Sequence, residues 1–117
     1  MVNMKNLKIL IVEDDPIIRF TMSKMLGKIF STIVVAENGK HGLDLVAEED
    51  FDVIVTDLQM PVMDGYEMIK ELRNVGVKTP IIICSAFVFE ETDKYQCSWL
   101  SKPILVDELI DLIDISA

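Results

Sequence analysis

The chain has 117 residues, of which 50% are hydrophobic and 26% are charged, and its formal net charge is −9. This length and composition predict a single globular domain over residues 1–117, with an apolar core and no room for a second folded unit. The acidic balance disfavours nucleic-acid binding, because a negative surface repels the phosphate backbone. No membrane-spanning apolar run and no signal peptide is found, so we expect a cytoplasmic protein.

Short apolar runs alternate with helical patterns along the whole chain. Runs rich in Ile, Leu and Val predict strands at residues 7–12, 32–36, 53–56, 81–84 and 99–101. Asp15 and Pro16 are typical of a helix start, and further helices are predicted at residues 40–49, 65–75 and 104–115. This alternation indicates an α/β fold, with a parallel sheet covered by helices on both faces.

Within each predicted helix, apolar residues at helical spacing are expected to face the core. The pattern places four such residues in the first helix and three in each of the others. They are Ile18, Met22, Met25 and Ile29; Leu43, Val46 and Ala47; Met68, Leu72 and Val75; and Leu105, Leu109 and Leu112.

Polar side chains follow the predicted strands at the points where these strands end. Glu13 and Asp14 follow the first strand, Asp57 the third, Ser85 the fourth and Lys102 the last. In an open parallel sheet, ligands bind outside the carboxyl ends of the strands, so these groups are expected to converge there. Carboxylates without His or Cys indicate a hard cation, with Mg²⁺ the first choice and Mn²⁺ the second.

The predicted convergence is suited to phosphoryl transfer. A carboxylate is an established covalent nucleophile, which assigns the attack to Asp57. A cation on Glu13 and Asp14, the ammonium of Lys102 and the hydroxyl of Ser85 would together neutralise and orient the transferred group.

Four motifs in this order resemble those of one protein family. They are Ile-Leu-Ile-Val-Glu-Asp-Asp-Pro (9–16), Val-Thr-Asp-Leu-Gln-Met-Pro-Val-Met-Asp-Gly (55–65), Ser-Ala (85–86) and Ser-Lys-Pro (101–103). The chain is similar over its whole length to response-regulator receiver domains of two-component phosphorelays, including chemotaxis regulators. The resemblance implies a flavodoxin-like, doubly wound sheet of five parallel strands in the order 2-1-3-4-5, with five helices.

The resemblance also implies roles for individual residues. Asp57 would accept a phosphoryl group from a histidine kinase or histidine phosphotransfer protein, with Lys102 and Ser85 contacting that group. Signalling would follow through a surface change at Ser85 and the aromatic switch Trp99, to a downstream protein partner and with no membrane contact. The domain would be a monomer or a phosphorylation-dependent dimer, and not an enzyme with an external substrate. Mg²⁺ would be bound by Asp14, Asp57, Glu13 through a water and the backbone carbonyl of Gln59.

The chain departs from the family between Ser85 and Lys102. These residues are 102 − 85 = 17 positions apart, roughly five fewer than usual, which exceeds one helical turn. The fourth helix is therefore expected to be shortened or missing. Phe87 and Phe89 would cover the sheet left bare or, as the less favoured interpretation, form an exposed patch that binds a partner.

Three other functions were weighed. A constitutive interaction module would keep the site but lose the coupling of its surface to phosphate, because the fourth helix is cut short. A phosphatase or mutase with an aspartyl intermediate would want a second acid where Gln59 stands. A flavin module is disfavoured, because acids would repel the flavin phosphate and no glycine-rich loop follows Val12.

Overall fold

The computed structural model describes residues 5–86 and 90–117, in which strands and helices alternate. In chain order the elements are β1 (Lys5–Val12), α1 (Pro16–Leu26), β2 (Phe30–Ala36), α2 (Gly39–Glu48), β3 (Val53–Thr56), α3 (Gly65–Asn74), β4 (Ile81–Ser85), α4 (Thr92–Tyr95), β5 (Cys97–Ser101) and α5 (Val106–Ser116). None of these described helices is long and apolar enough to cross a membrane.

All five strands are parallel and form one sheet in the order β2-β1-β3-β4-β5. This result confirms the expected strand order and fold class. In the register of the sheet, Val12 at the end of β1 pairs with Thr56 at the end of β3. The residues that follow, Glu13 and Asp57, therefore leave the sheet at the same edge, where the order of the strands reverses.

The central strands are buried because helices cover both faces of the sheet. On one face, alternate residues such as Leu10 and Ile54 pack with Met68 and Leu72 of α3. On the other face, the intervening residues pack with Leu26 of α1 and with Leu109 and Ile113 of α5. Full burial of each large apolar side chain stabilises the fold by about 1.5–3 kcal/mol, so these strands are rigid supports for the residues that follow them.

Side chains that precede three of the helices bind the first free backbone N–H groups. Asp15 Oδ1 accepts hydrogen bonds from the N–H groups of Ile17 and Ile18, at 2.9 and 3.2 Å, which confirms the predicted start of α1. Asn38 and Asp64 cap α2 and α3 in the same way. Caps of this kind contribute about 1 kcal/mol each.

The fourth helix is shortened, as the spacing between Ser85 and Lys102 predicted. Helix α4 is a single turn of four residues, Thr92–Tyr95. It ends at Gln96, whose left-handed backbone (φ 56°, ψ 51°) turns the chain into β5. The predicted role of Phe87 and Phe89 lies outside the described residues.

Several predicted core contacts are wrong, mostly near helix ends. Residues expected to face the core are exposed in four helical regions: Ile18 and Met25, Ala47, Val75, and Leu105. Val75 and Leu105 lie just outside α3 and α5, so neither follows the stripe of its helix. Leu109 of α5 is buried as predicted, and it packs together with Ile113, which is four residues further along and shares its face.

Candidate functional site

Asp57 lies at the end of the buried strand β3, at the carboxyl edge of the sheet. Its backbone N–H donates to the carbonyl of Val12, at 3.2 Å, which fixes it beside the end of β1. Its Oδ1 accepts hydrogen bonds from the N–H groups of Leu58 and Gln59, at 2.6 and 3.4 Å. Its Oδ2 lies 2.8 Å from Lys102 Nζ. Both carboxylate oxygens are therefore held in a defined orientation.

The loop after Asp57 is closed by a glycine that approaches the backbone of Asp57. The N–H of Gly65 donates to the carbonyl of Leu58 at 2.8 Å. A Cβ atom at position 65 would lie 2.0 Å from the carbonyl oxygen of Asp57. Only glycine fits this position without moving the backbone that carries the candidate nucleophile.

The acids after β1 are held by an arginine that the sequence analysis did not single out. Arg19 Nη1 donates to the backbone carbonyls of Glu13 and Asp14, at 2.8 and 3.4 Å. Arg19 stands one helical turn after the cap residue Asp15, so its side chain can reach back to the acidic loop. That position relative to the cap was the only signal for it in the sequence.

Glu13, Asp14 and Asp57 form a cluster of carboxylates. Each offers one oxygen, and these oxygens all lie within 4.8 Å of one another. Burial raises the pKa of Glu13 from 4.5 to about 7, and the negative charge of Asp57 adds to the shift. Because the cluster offers only oxygen donors and carries excess negative charge, it fits a hard divalent cation such as Mg²⁺ or Mn²⁺.

Lys102 faces the same cluster from the end of β5. Burial lowers its pKa, but the hydrogen bond and charge of Asp57, with the charge of Glu13, outweigh burial and raise it. The amine is therefore a persistent cation at neutral pH. Its backbone N–H also donates to the carbonyl of Ser85 at 3.1 Å, which ties the end of β5 to the end of β4.

The other predicted site residues are Ser85, Gln59 and Trp99. Ser85 is buried at the end of β4 and pairs with Ser101 in the register of the sheet. Gln59 is exposed in the loop after Asp57. Trp99 lies inside β5 and packs against the α3 side of the core. The structure thus brings together Glu13, Asp14, Asp57 and Lys102, with Ser85 at the adjacent strand end.

A mostly apolar cleft opens beside the carboxylates, between α1 and the segment from β5 to α5. Its volume is about 390 Å³. Its walls include Ile18 and Met22 of α1 and Pro103 and Ile104 after Lys102, and Asp57 also lines it. The exposure of Ile18 and Met25, which were predicted to be buried, is explained by this cleft.

Residues 9–114 of the chain match the sequence model of the response regulator receiver domain family. Among curated relatives, the cell cycle response regulator CtrA of Brucella ovis is 36% identical over 110 residues. This match covers 89% of the chain and 47% of CtrA. The chain therefore spans about half the length of the curated relatives that it matches.

Solved structures agree with the sequence comparison over nearly the whole chain. The receiver domain of the Francisella response regulator 1452 has a TM-score of 0.85 and 35% identity, and the match covers 94% of this chain and 95% of that one. The response regulator TrrA of Thermotoga maritima, solved with Mg²⁺ and BeF, has a TM-score of 0.83 and 27% identity. That match covers 97% of this chain and all of TrrA.

Proposed function

Because the chain belongs to the family of response regulator receiver domains, we propose that Asp57 accepts a phosphoryl group from a phosphohistidine. The donor is a histidine kinase or a histidine phosphotransfer protein, and the domain promotes the gain and loss of its own phosphoryl group. The observation that carries this proposal is the 2.8 Å contact of Lys102 with Asp57, beside three clustered carboxylates. This set supplies a nucleophile and positive charge for phosphoryl transfer.

In the proposed reaction, an Asp57 carboxylate oxygen forms a bond to phosphorus while the P–N bond of phosphohistidine breaks. The electron pair of the broken bond stays on the imidazole nitrogen. The ammonium of Lys102, which pairs with Asp57 Oδ2, then donates to a phosphoryl oxygen. The N–H of Leu58 keeps the other Asp57 oxygen in place. The protein therefore contributes orientation and charge, which are the main terms in phosphoryl transfer.

Mg²⁺ is the proposed cofactor, with Mn²⁺ as an alternative. Glu13, Asp14 and Asp57 would hold it, together with the backbone carbonyl of Gln59. When bound, Mg²⁺ neutralises phosphoryl charge, and it prefers sites with few carboxylates and several waters. Support comes from the three clustered carboxylates of this chain and from TrrA, which was solved with Mg²⁺ and BeF.

We propose that Ser85 and Trp99 convert phosphorylation into a change of surface. Ser85, at the end of β4, would move to donate its hydroxyl hydrogen to a phosphoryl oxygen. Trp99 would then move inward into the space that Ser85 leaves, and the β4–β5 edge would adopt a second arrangement. The half-buried environment of Trp99 supports this role, because a side chain at an edge can move with little loss of packing.

We further propose that the phosphohistidine partner docks on the apolar surface around the cleft. Ile17, which lines the cleft, is 76% exposed. Phe20 of α1 (64%) and Leu105, which stands between the lining residues Ile104 and Val106 in the chain (60%), are also exposed. Exposed apolar residues close together are typical of protein interfaces. With a net charge of −9, residues 1–117 would act as one receiver domain that signals to a protein and not to nucleic acid.

Intact-protein mass spectrometry tests the phosphoryl acceptor. Wild-type protein incubated with Mg²⁺ and phosphoramidate should gain the mass of one phosphoryl group, and Asp57→Asn should gain none. Asp44→Asn is the matched control, because Asp44 is an exposed acid on α2 paired with Lys40; it should be phosphorylated like wild type. No gain in the wild type, or an undiminished gain in Asp57→Asn, would contradict the proposal.

The same assay tests the roles of Mg²⁺ and of the Lys102 ammonium. Chelation of Mg²⁺ should abolish the mass gain, because phosphoryl charge is then not neutralised. Lys102→Met should lower the rate about 100-fold, the scale seen when one positioned donor is removed from a polar active site. Lys40→Met, which removes an exposed amine, should leave the rate unchanged. A Lys102→Met rate within about twofold of wild type would exclude the proposed role of this amine.

A further inference from the structure

The shortened helix α4 has little of its own to hold it in place. It is one turn long, has no buried residue and has no side-chain cap at its start. A single helical turn is unstable by itself, because nucleating a helix is costly. The position of α4 must therefore be set by contacts with its neighbours, which are α3 and β5.

Tyr66 of α3 makes the most direct of these contacts. Its Oη donates to Glu91 Oε1 at 2.8 Å, immediately before α4 begins. Its ring meets the ring of Tyr95 edge to face, with centroids 6.1 Å apart, and Lys70 Nζ lies 4.9 Å from its centroid. Tyr66 therefore contacts α4 at both ends.

The protonation states of Tyr66 and Glu91 keep this hydrogen bond formed across the neutral range. The hydrogen bond to Glu91 is the main cause that raises the pKa of Tyr66 to about 12. The same bond lowers the pKa of Glu91, and Lys94 at 3.4 Å reinforces that effect. At neutral pH, Tyr66 thus remains a donor and Glu91 a charged acceptor, the stronger kind of pair.

This hydrogen bond lies between the two proposed switch residues along the chain. Glu91 follows Ser85 through the β4–α4 connection, and Tyr95 precedes the strand that carries Trp99. Inward movement of Trp99 would act on the segment that begins at Tyr95. The contacts of Tyr66 with Glu91 and Tyr95, which hold α4 against α3, would oppose that movement.

Trp99 itself is not fully satisfied in this arrangement. Within residues 5–86 and 90–117, the buried Nε1 of Trp99 has no hydrogen-bond acceptor. A buried donor without a partner is unfavourable, because it has lost its water and gained nothing in return. An arrangement that gives the indole N–H an acceptor would therefore be favoured.

We propose that Tyr66 is a positioning residue that holds the switch in its unphosphorylated arrangement through its hydrogen bond to Glu91. The proposal rests on the proposed function, since it assumes that Asp57, Ser85 and Trp99 form a phosphorylation switch. The contact between α3 and α4 would thus oppose the change of surface that follows phosphorylation. By linkage, whatever stabilises the unphosphorylated arrangement weakens binding of the phosphoryl group or its mimic by the same factor.

The test is beryllofluoride binding in the presence of Mg²⁺, followed by the fluorescence of Trp99, the single tryptophan of the chain. Tyr66→Phe keeps the ring and loses only the hydroxyl. It should bind beryllofluoride about threefold to tenfold more tightly than wild type, as expected from the loss of one hydrogen bond made only in the unloaded form. Its fluorescence without beryllofluoride should already be shifted toward that of the loaded protein.

Glu91→Ala should shift both signals in the same direction, and Tyr66→Phe/Glu91→Ala should gain less than the sum of the two single variants, because the bond that they share is removed only once. Asp44→Asn, which disrupts an exposed pair on α2, should bind like wild type. A purely structural role would lower stability without tightening beryllofluoride binding, so the direction of the change is decisive.

Two results would overturn the proposal in different ways. Unchanged or weaker binding by Tyr66→Phe, with normal binding by wild type, would remove Tyr66 from the switch and leave the proposed function intact. Failure of wild type both to bind beryllofluoride and to gain a phosphoryl group would remove the proposed function and the role of Tyr66 together.

Discussion

The central strands β1 and β3 and the edge formed by α4 and β5 are held by different forces. From Ile9 to Val12 and from Val53 to Thr56, the strands are buried on both faces. The edge strand β5 is only half-buried, and the adjoining α4 has no buried residue. Tyr95 and Trp99 pack against the α3 side of the core, and polar contacts such as the one between Tyr66 and Glu91 add to this packing.

This difference matches the tasks proposed for the two regions. Apolar burial in close packing resists displacement, so Glu13 and Asp57 leave the sheet from fixed supports. Single hydrogen bonds contribute about 0.5–1.5 kcal/mol each, so a region held by a few of them can change its arrangement at modest cost. The chemistry is thus proposed to sit on the rigid half and the response on the weaker edge.

The largest expected effect is that of Gly65→Ala, which alters the backbone contact with Asp57 at the end of β3. The new Cβ would lie 2.0 Å from the carbonyl oxygen of Asp57 and 3.0 Å from its carbonyl carbon. We expect the unfolding free energy to fall by more than about 3 kcal/mol, because packed backbone must move. We also expect phosphorylation to be lost. Urea denaturation and the mass assay measure these effects.

Gly76→Ala provides the matched control for Gly65→Ala. Gly76 also needs its flexibility, with φ +89°, but a Cβ there would meet no atom within 4 Å. We expect it to lose about 1 kcal/mol from the strained backbone and to keep wild-type phosphorylation. Normal phosphorylation of Gly65→Ala would show that the close approach at Asp57 is not needed for the site.

The next largest effect is expected from Arg73→Met, which removes a contact with α4 at the edge formed by α4 and β5. Arg73 Nε donates to the carbonyl of Tyr95 at 2.8 Å, and Nη1 donates to the carbonyls of Val77 and Thr79, each at 2.9 Å. Removing these charged donors should cost on the order of 2 kcal/mol. Hydrogen exchange should accelerate in α4 and β5, while the phosphorylation rate stays within about threefold of wild type.

Arg19→Met tests the opposite half with the same chemical change. Arg19 binds the carbonyls of Glu13 and Asp14, so its loss should slow phosphorylation and leave exchange in α4 and β5 unaltered. If both variants affected phosphorylation equally, the distinction between the two regions would fail.

The buried acid of the rigid half should give metal-free protein a characteristic dependence on pH. Burial raises the pKa of Glu13 from 4.5 to about 7, so the folded state binds a proton that the unfolded state releases. The contribution of Glu13 to stability is therefore complete below about pH 4.5 and is lost as the pH rises through about 7. We expect a decrease on the order of 2 kcal/mol over this range.

Urea denaturation in the presence of a chelator, between about pH 5 and 8, measures this dependence. Glu13→Gln should flatten the decrease, whereas Glu48→Gln, which alters an exposed acid of α2, should retain it. An identical slope in wild type and Glu13→Gln would show that Glu13 ionises normally in the folded protein.

The smallest effect is expected from Val62→Gly, in the loop beside the site. Val62 is 82% exposed and adopts a left-handed backbone with φ 70°, which is strained for a β-branched residue. Glycine relieves about 1–2 kcal/mol of strain and costs up to about 1 kcal/mol of chain entropy. A net gain of less than about 1 kcal/mol should therefore appear in thermal unfolding.

Val75→Gly separates strain from the general cost of glycine. Val75 is also exposed, but its φ is −88°, so the substitution relieves nothing and should cost about 0.5–1 kcal/mol. Equal losses in the two variants would mean that the loop at Val62 stores no strain.

The sequence by itself determined the features that depend on neighbouring residues. Alternating strands and helices and the cap at Asp15 follow from local patterns, and the structure has them. The shortening of α4 was predicted by comparing the spacing of Ser85 and Lys102 with that of the family, and the structure confirms it. The cluster of Glu13, Asp14 and Asp57 was also predictable, because parallel strands bring their carboxyl ends to one edge. The strand order came from the resemblance to a family and not from the residues alone.

Which distant groups meet depends on how the elements pack together. Tyr66 and Glu91 are 25 positions apart, and Arg73 and Tyr95 are 22 apart, so no local pattern could pair them. The exposure of Ile18 and of Leu105 was likewise invisible, because burial depends on where a helix ends and how it is rotated against the sheet. Patterns in sequence report what a segment can bury, whereas the packing of all segments together decides what is covered.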